Sequence, residues 1–345
     1  MQNILLHILA AAVGFIVIAG TGLSAVRTMV LPRAARSVLT GAVFAWVRRV
    51  FSLLARGDFE RQDRVLALYT PVALLSLAAA WMISFTLGFA ALFWAVGDRA
   101  VTDSLWSAGS SLVTLGSDTL VSSVDKILGV SAAAVGLGVV ALLIAFLPSL
   151  YAAFSEREAM VALLETEAGS PASPIEMLIR LHRIGMLDRL TGNWERWQRW
   201  FVEIDESHTS YPSLVWLRSP VSTRSWVTAA STVLDAAALW LAAVDAPYDP
   251  RAALCIRSGY VSLRRIGGFF RIEFDADPAP DDVISITREQ FDEAVAELVE
   301  GGIAVNADRD QAWRDFSGWR VNYDAVVAGL VAVTRPYPTR WTTVP

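Results

Sequence analysis

Few residues in this chain of 345 could do covalent chemistry. The histidines are His7, His182 and His208. The lone cysteine, Cys255, leaves no internal disulfide framework and no cysteine-based zinc site. Glu206-Ser207-His208 sets an acid, a hydroxyl and an imidazole side by side, but sequence neighbours do not face one another as a triad must. No phosphate-binding loop occurs, and Gly136-Leu137-Gly138 stands inside an apolar run rather than between a strand and a helix. The expectation is therefore not an enzyme: no catalytic residues, no cofactor and no metal. What remains is the uncharged, hydroxyl-rich segment 104–117, Ser-Leu-Trp-Ser-Ala-Gly-Ser-Ser-Leu-Val-Thr-Leu-Gly-Ser, followed by Asp118. It is too short to span a bilayer and fits a re-entrant segment that dips in and returns.

The elements around it are apolar. The chain is 54% hydrophobic and only 18% charged, against about a quarter charged in soluble domains. The deficit lies in residues 1–155. Residues 4–26, 65–96 and 127–153 hold no Asp, Glu, Lys or Arg, and each exceeds the ~20 residues a spanning helix needs. The first lacks the basic leader of a signal peptide and reads as an uncleaved helix. Residues 27–64 carry eight arginines, at 27, 33, 36, 48, 49, 56, 61 and 64, against Asp58, Glu60 and Asp63. The positive-inside rule makes this segment cytoplasmic and places residues 156–345 in the cytoplasm too. Within it, 38–54 reads as an interfacial helix. With a net charge of −5 and no long basic run, a nucleic-acid partner is not expected. The fold class expected is an all-α membrane protein: three transmembrane helices plus a re-entrant pore helix, with a mostly helical cytoplasmic domain. Its parts are 1–64, 65–155 and 156–345.

Long helix, short re-entrant helix, Thr-x-Gly loop, long helix: this order, over about residues 65–153, resembles the pore module of bacterial two-transmembrane, potassium-channel-like ion channels. Trp106 stands eight residues before Thr114, where such pore helices commonly carry an aromatic. Ser110, Ser111 and Thr114 match the hydroxyl-rich approach to the filter. Thr114-Leu115-Gly116 matches its Thr-Val-Gly start, and Asp118 the acidic residue that closes it. Gly136 and Gly138 fall midway along the last helix, where a gating hinge is often found. The resemblance implies a multi-pass cation channel of the cell membrane, passing a monovalent cation along Thr114, Leu115, Gly116, Ser117 and Asp118. It further implies a homotetramer, because one loop cannot enclose an axis. Asp98, Asp103, Asp118 and Asp125, against Arg99 and Lys126, would then form negative rings. The sequence departs from the pattern after Gly116: Ser117-Asp118 stands where Tyr-Gly-Asp would. Either one ion site is missing or side chains help form the filter, so potassium selectivity does not follow and a less selective path is equally well supported. The alternative is a non-conducting membrane scaffold whose C-terminal part binds a partner.

Other residues carry packing expectations. Gly136 and Gly138 also suit close helix packing, and Pro148 marks either a kink or, preferably, a helix end at the interface near Tyr151. In the second half, Gly169 to Pro174 reads as a break. Trp194, Trp197 and Phe201 form a packing stripe, and 226–244, with Asp235 its sole charge, reads as a buried core helix rather than a fourth span. A helix is expected over 258–274, then an acidic loop, a helix capped by Thr287 and Gln290 and stopped by Gly301-Gly302, and a last helix over about 322–334.

Overall fold

The computed structural model describes residues 2–31, 37–97 and 99–342. Every regular element among them is helical; the one strand-like feature is a single bridge between Val244 and Val305. The chain forms two compact units, Met1–Tyr151 and Ala152–Pro345. Four stretches are long and apolar enough to cross a membrane: α1 (Gln2–Met29), α3 (Phe59–Ala67) with α4 (Tyr69–Val96), α6 (Ser123–Ala168) and α9 (Trp226–Ala243). Protein covers only 11%, 33% and 22% of the first three but 89% of the fourth. The first three expose more apolar surface than water tolerates, which is compatible with a membrane protein.

Unit 1 is built around α4. Leu77, Trp81, Phe85, Phe89 and Phe93 recur every fourth residue and form one buried face. α1 crosses α4 at a pair of glycines. A Cβ on Gly14 would lie 2.7 Å from the Gly88 carbonyl oxygen, and one on Gly88 3.1 Å from that of Gly14, so only glycine permits this backbone approach. Nearer the other end, Trp81 Nε1 donates to Ser24 Oγ at 3.1 Å, and Ser24 and Thr28 pair with the Ser37 and Thr40 hydroxyls at the start of α2 (Val38–Leu54). Such hydroxyl ties hold helices together where burial against lipid supplies no driving force.

Two boundaries differ from the sequence reading. The span expected over 65–96 lies within a longer apolar stretch, Phe59–Val96, whose helix is interrupted only at Leu68, between α3 and α4. Pro71 is the third residue of α4, where its missing N–H would have had no intrahelical partner anyway. Conversely, α6 does not end at Pro148; it runs 46 residues with the proline inside. A proline removes one helical hydrogen bond, and the Ala- and Leu-rich turns on either side re-form the ladder. α6 gives its residues to Tyr151 to unit 1 and the rest to unit 2.

Unit 2 is a helical bundle: α7 (Pro174–Arg183), α8 (Leu190–Ser210), α9, α10 (Pro250–Phe269), α11 (Arg288–Glu300), α12 (Arg309–Arg320) and α13 (Asp324–Thr334). Ser173, Ser225, Asp249, Thr287 and Asp308 each cap the following helix with a side-chain oxygen. The Thr287–Gln290 capping box is complete. α10 begins eight residues before the expected 258, because Asp249 accepts the Arg251 N–H at 2.9 Å and Pro250 takes the first helical position. α9 packs against α7, α10, α12 and α13. Trp194, Trp197, Trp200 and Phe201 of α8 are all buried in the same core. A Cβ at Gly259 would meet Leu234 at 2.4 Å, so α10 approaches α9 closely there. Cys255, on α10, is fully buried, and burial pushes its thiol up.

One buried polar cluster predicts a pH response. Arg157, 2% exposed, donates to the Leu214 and Leu217 carbonyls, both at 2.7 Å, and pairs with Glu158. Its Nη1 also lies 3.3 Å from His208 Nε2, so that nitrogen accepts, and the ring is neutral and tilted against Trp226, with centroids 4.7 Å apart. Burial first, then the Arg157 charge, hold the imidazole well below its ordinary value. The unfolded chain therefore takes up a proton that the fold refuses as pH falls below the ordinary histidine range, and stability drops. The slope approaches ~1.4 kcal/mol per pH unit for one such group. Thermal unfolding of the full chain at pH 7.5 and 5.5 is expected to show this loss, and His208→Gln is expected to reduce it.

Candidate functional site

The hydroxyl-rich segment folds as α5 (Val101–Leu112) and an irregular loop leading to α6. Twelve helical residues reach roughly 18 Å, well short of a bilayer core. The face of α5 bearing Ser104, Ser107, Ala108 and Leu112 is buried, while Val101 and Trp106 are exposed.

The end of α5 sets the loop. Thr114 N–H donates to Ser111 O at 3.0 Å and Leu115 N–H to Ser110 O at 2.8 Å, with Thr114 left-handed at φ 59°. This is the Schellman pattern, in which the left-handed position usually belongs to glycine. A β-branched residue there is a genuine outlier and holds strain of order 1–3 kcal/mol. Gly116 is also left-handed, at φ 65°, with open space around its missing Cβ, so backbone conformation alone requires glycine. Ser117 N–H donates to Ser110 Oγ at 3.0 Å. Three donors of the loop, at 114, 115 and 117, are thus turned back onto α5. No carbonyl oxygen from Thr114 to Ser117 accepts a hydrogen bond among the described residues, and 113–117 are exposed in the single chain. Thr114→Gly is expected to keep or raise the unfolding temperature, by the equivalent of up to ~1 kcal/mol, despite the loss of a side chain. Thermal unfolding in detergent checks this.

Arg99 organises the flank of the loop. It donates to Asp125 at 2.8 Å, to Ser107 Oγ at 3.0 Å and to Asp118 at 3.4 Å, while Ser107 Oγ also donates to Asp118. Asp118 and Asp125 share one guanidinium, so they are not free charges. Asp103 is exposed, and Asp98 lies outside the described residues. Nothing in the spacing of Arg99 announced that it would gather two acids 19 and 26 residues away.

The two glycines of α6 differ. A Cβ on Gly136 would stand 1.8 Å from the Leu112 carbonyl oxygen, at the last turn of α5, whereas Gly138 has nothing within 4 Å. Gly136 is therefore a close-packing point beneath the loop.

No family model, no curated protein and no solved structure matches the chain. Among the described residues no three His, Cys, Asp or Glu side chains group to hold a metal. Ser207 Oγ lies 3.2 Å from His208 Nδ1, but the other imidazole nitrogen faces Arg157 instead of a carboxylate.

Proposed function

We propose that unit 1 is the pore module of a cation channel. In this reading α1, α3 with α4, and the uncharged part of α6, residues 127–153, are three membrane spans, α5 is re-entrant, and residues 156–345 form a cytoplasmic domain of a multi-pass protein of the cell membrane. The observation that carries it is the loop in which three N–H donors, of Thr114, Leu115 and Ser117, are engaged by α5 while four successive carbonyl oxygens, Thr114 to Ser117, accept no hydrogen bond among the described residues. Such oxygens can replace the hydration shell of a monovalent cation. The C-terminal end of α5 adds a partial negative charge on the same side. A single loop cannot surround an ion, so the functional form would be a homotetramer with Thr114 to Asp118 along its axis. The exposed Trp106, Val113 and Leu115 would then be covered by neighbouring copies.

A second reading, a non-conducting membrane scaffold with a partner-binding domain, is favoured by Arg99, which neutralises the acids flanking the loop. Cation flux from proteoliposomes, potassium against sodium, separates the two. The channel reading expects flux that Gly116→Ala lowers at least about tenfold, since a Cβ at φ 65° is strained, and that Asp118→Asn alters in selectivity. A well-folded tetramer that passes neither ion over a range of voltage and pH supports the scaffold.

A further inference from the structure

Unit 2 contains a cavity of about 350 Å³ that no part of the channel reading uses. This is the size of a small-molecule site. Its polar side is the middle of α9, with Ser231, Thr232 and Asp235, each at most 3% exposed. The tail after α13, with Tyr337, Pro338 and Trp341, and residues 171–175 at the start of α7 complete the lining.

Hydrogen-bond bookkeeping defines what fits. Asp235 Oδ1 receives Arg320 Nη1 and the Tyr323 hydroxyl, the latter at 2.9 Å. Oδ2 receives only Ser231 Oγ, at 3.1 Å, so it keeps accepting capacity. The cations nearby are already committed. Arg320 also pairs with Asp324, and Arg340 with Glu293 and Glu297. Four carboxylates thus face two guanidiniums, and the surplus is negative. One further group is unsatisfied: Trp341 is 6% exposed and its Nε1 donor has no partner. An unpaired buried donor costs ~1–3 kcal/mol unless something accepts from it. A lone carboxylate beside two hydroxyls falls short of a divalent-metal cage.

We propose that this cavity binds a small organic cation: a protonated amine on a compact apolar body that also carries a hydrogen-bond acceptor. The ammonium donates to Asp235 Oδ2 and the Ser231 and Thr232 hydroxyls. The body lies against Pro338 and the Trp341 ring, and the acceptor takes the Trp341 N–H. Because one wall is α9 and another the C-terminal tail, occupancy fastens the tail to the core of unit 2. The proposal does not depend on conduction by unit 1.

Calorimetric titration of the full chain in detergent with three probes of one shape tests it: tyramine, the neutral alcohol tyrosol and the anion 4-hydroxyphenylacetate. Saturable tyramine binding is expected, with the alcohol and the acid at least about tenfold weaker. Trp341→Phe and Thr232→Val are each expected to weaken tyramine several-fold while unfolding near the wild-type temperature. Both keep the Asp235–Arg320 pair, so the test does not hang on Asp235→Asn, which would strand a buried guanidinium. Failure of tyramine to bind at millimolar concentration, equal binding of the acid, or undiminished affinity in both variants would overturn the proposal.

Discussion

Gly136→Ala is expected to cost unit 1 about 3 kcal/mol or more, at the upper end of what overpacking a core does. The reason is the identity of the obstacle. The new methyl would meet the Leu112 carbonyl oxygen at 1.8 Å, and a backbone atom cannot rotate away as a side chain can. Relief requires α5 to lift from α6, which displaces the loop that starts two residues later. Gly138→Ala is the matched control. It meets nothing, and alanine in place of glycine within a helix is worth up to ~1 kcal/mol in favour of the variant. Thermal unfolding and size-exclusion profiles of the two variants in detergent make the comparison. Wild-type stability in Gly136→Ala with altered conduction would instead favour a bending role for this residue.

The second large effect lies in unit 2. Arg320 and Asp235 are each 1% exposed and pair directly, with Tyr323, Ser231 and Asp324 completing the network. Arg320→Met alone leaves a buried carboxylate without its counter-charge, and Asp235→Leu alone leaves a buried guanidinium whose remaining charged partner is Asp324, with Ser285 Oγ and the Trp341 carbonyl as neutral acceptors. Each single change is expected to cost ~3–5 kcal/mol, whereas the double change, which removes both desolvated charges, recovers most of that. A double-mutant cycle by chemical denaturation of the full chain measures the coupling. Additive losses would mean that the pair is not what secures α12 to α9.

Much of the architecture follows from local signals. Uncharged runs of helix-spanning length mark α1, α4 and the first part of α6, and the Thr287–Gln290 capping box marks the start of α11. Local signals mislead where they compete. Pro148 argues for an ending, but its single lost hydrogen bond is outweighed by strong helix formers on both sides. Asp249-Pro250 is an ordinary start signal, set eight residues ahead of the expected 258. The left-handed turn at Thr114 and Gly116 is backbone chemistry, and of these two only the glycine signals it in the sequence. Partners chosen across space left no trace in the order of residues. Arg99 with Asp118 and Asp125, Gly136 against Leu112, and Asp235 with an arginine 85 residues away are of this kind. Asp235 illustrates the cost: counted alone, it looked like a stray charge weighing on an apolar helix, while in the fold it anchors one.

The burial of Cys255 has a practical meaning for following this molecule at work. A thiol with no accessible surface and little tendency to ionise does not react with maleimides or thiosulfonates. The native chain is therefore already silent toward thiol reagents while folded, without any cysteine having to be removed. A single Leu115→Cys would be the sole handle for a fluorophore, a spin label or copper-catalysed cross-linking. In the homotetramer proposed above, pairs of such labels would report how far apart the loops of neighbouring copies lie; labels that never come within range of one another would count against that assembly.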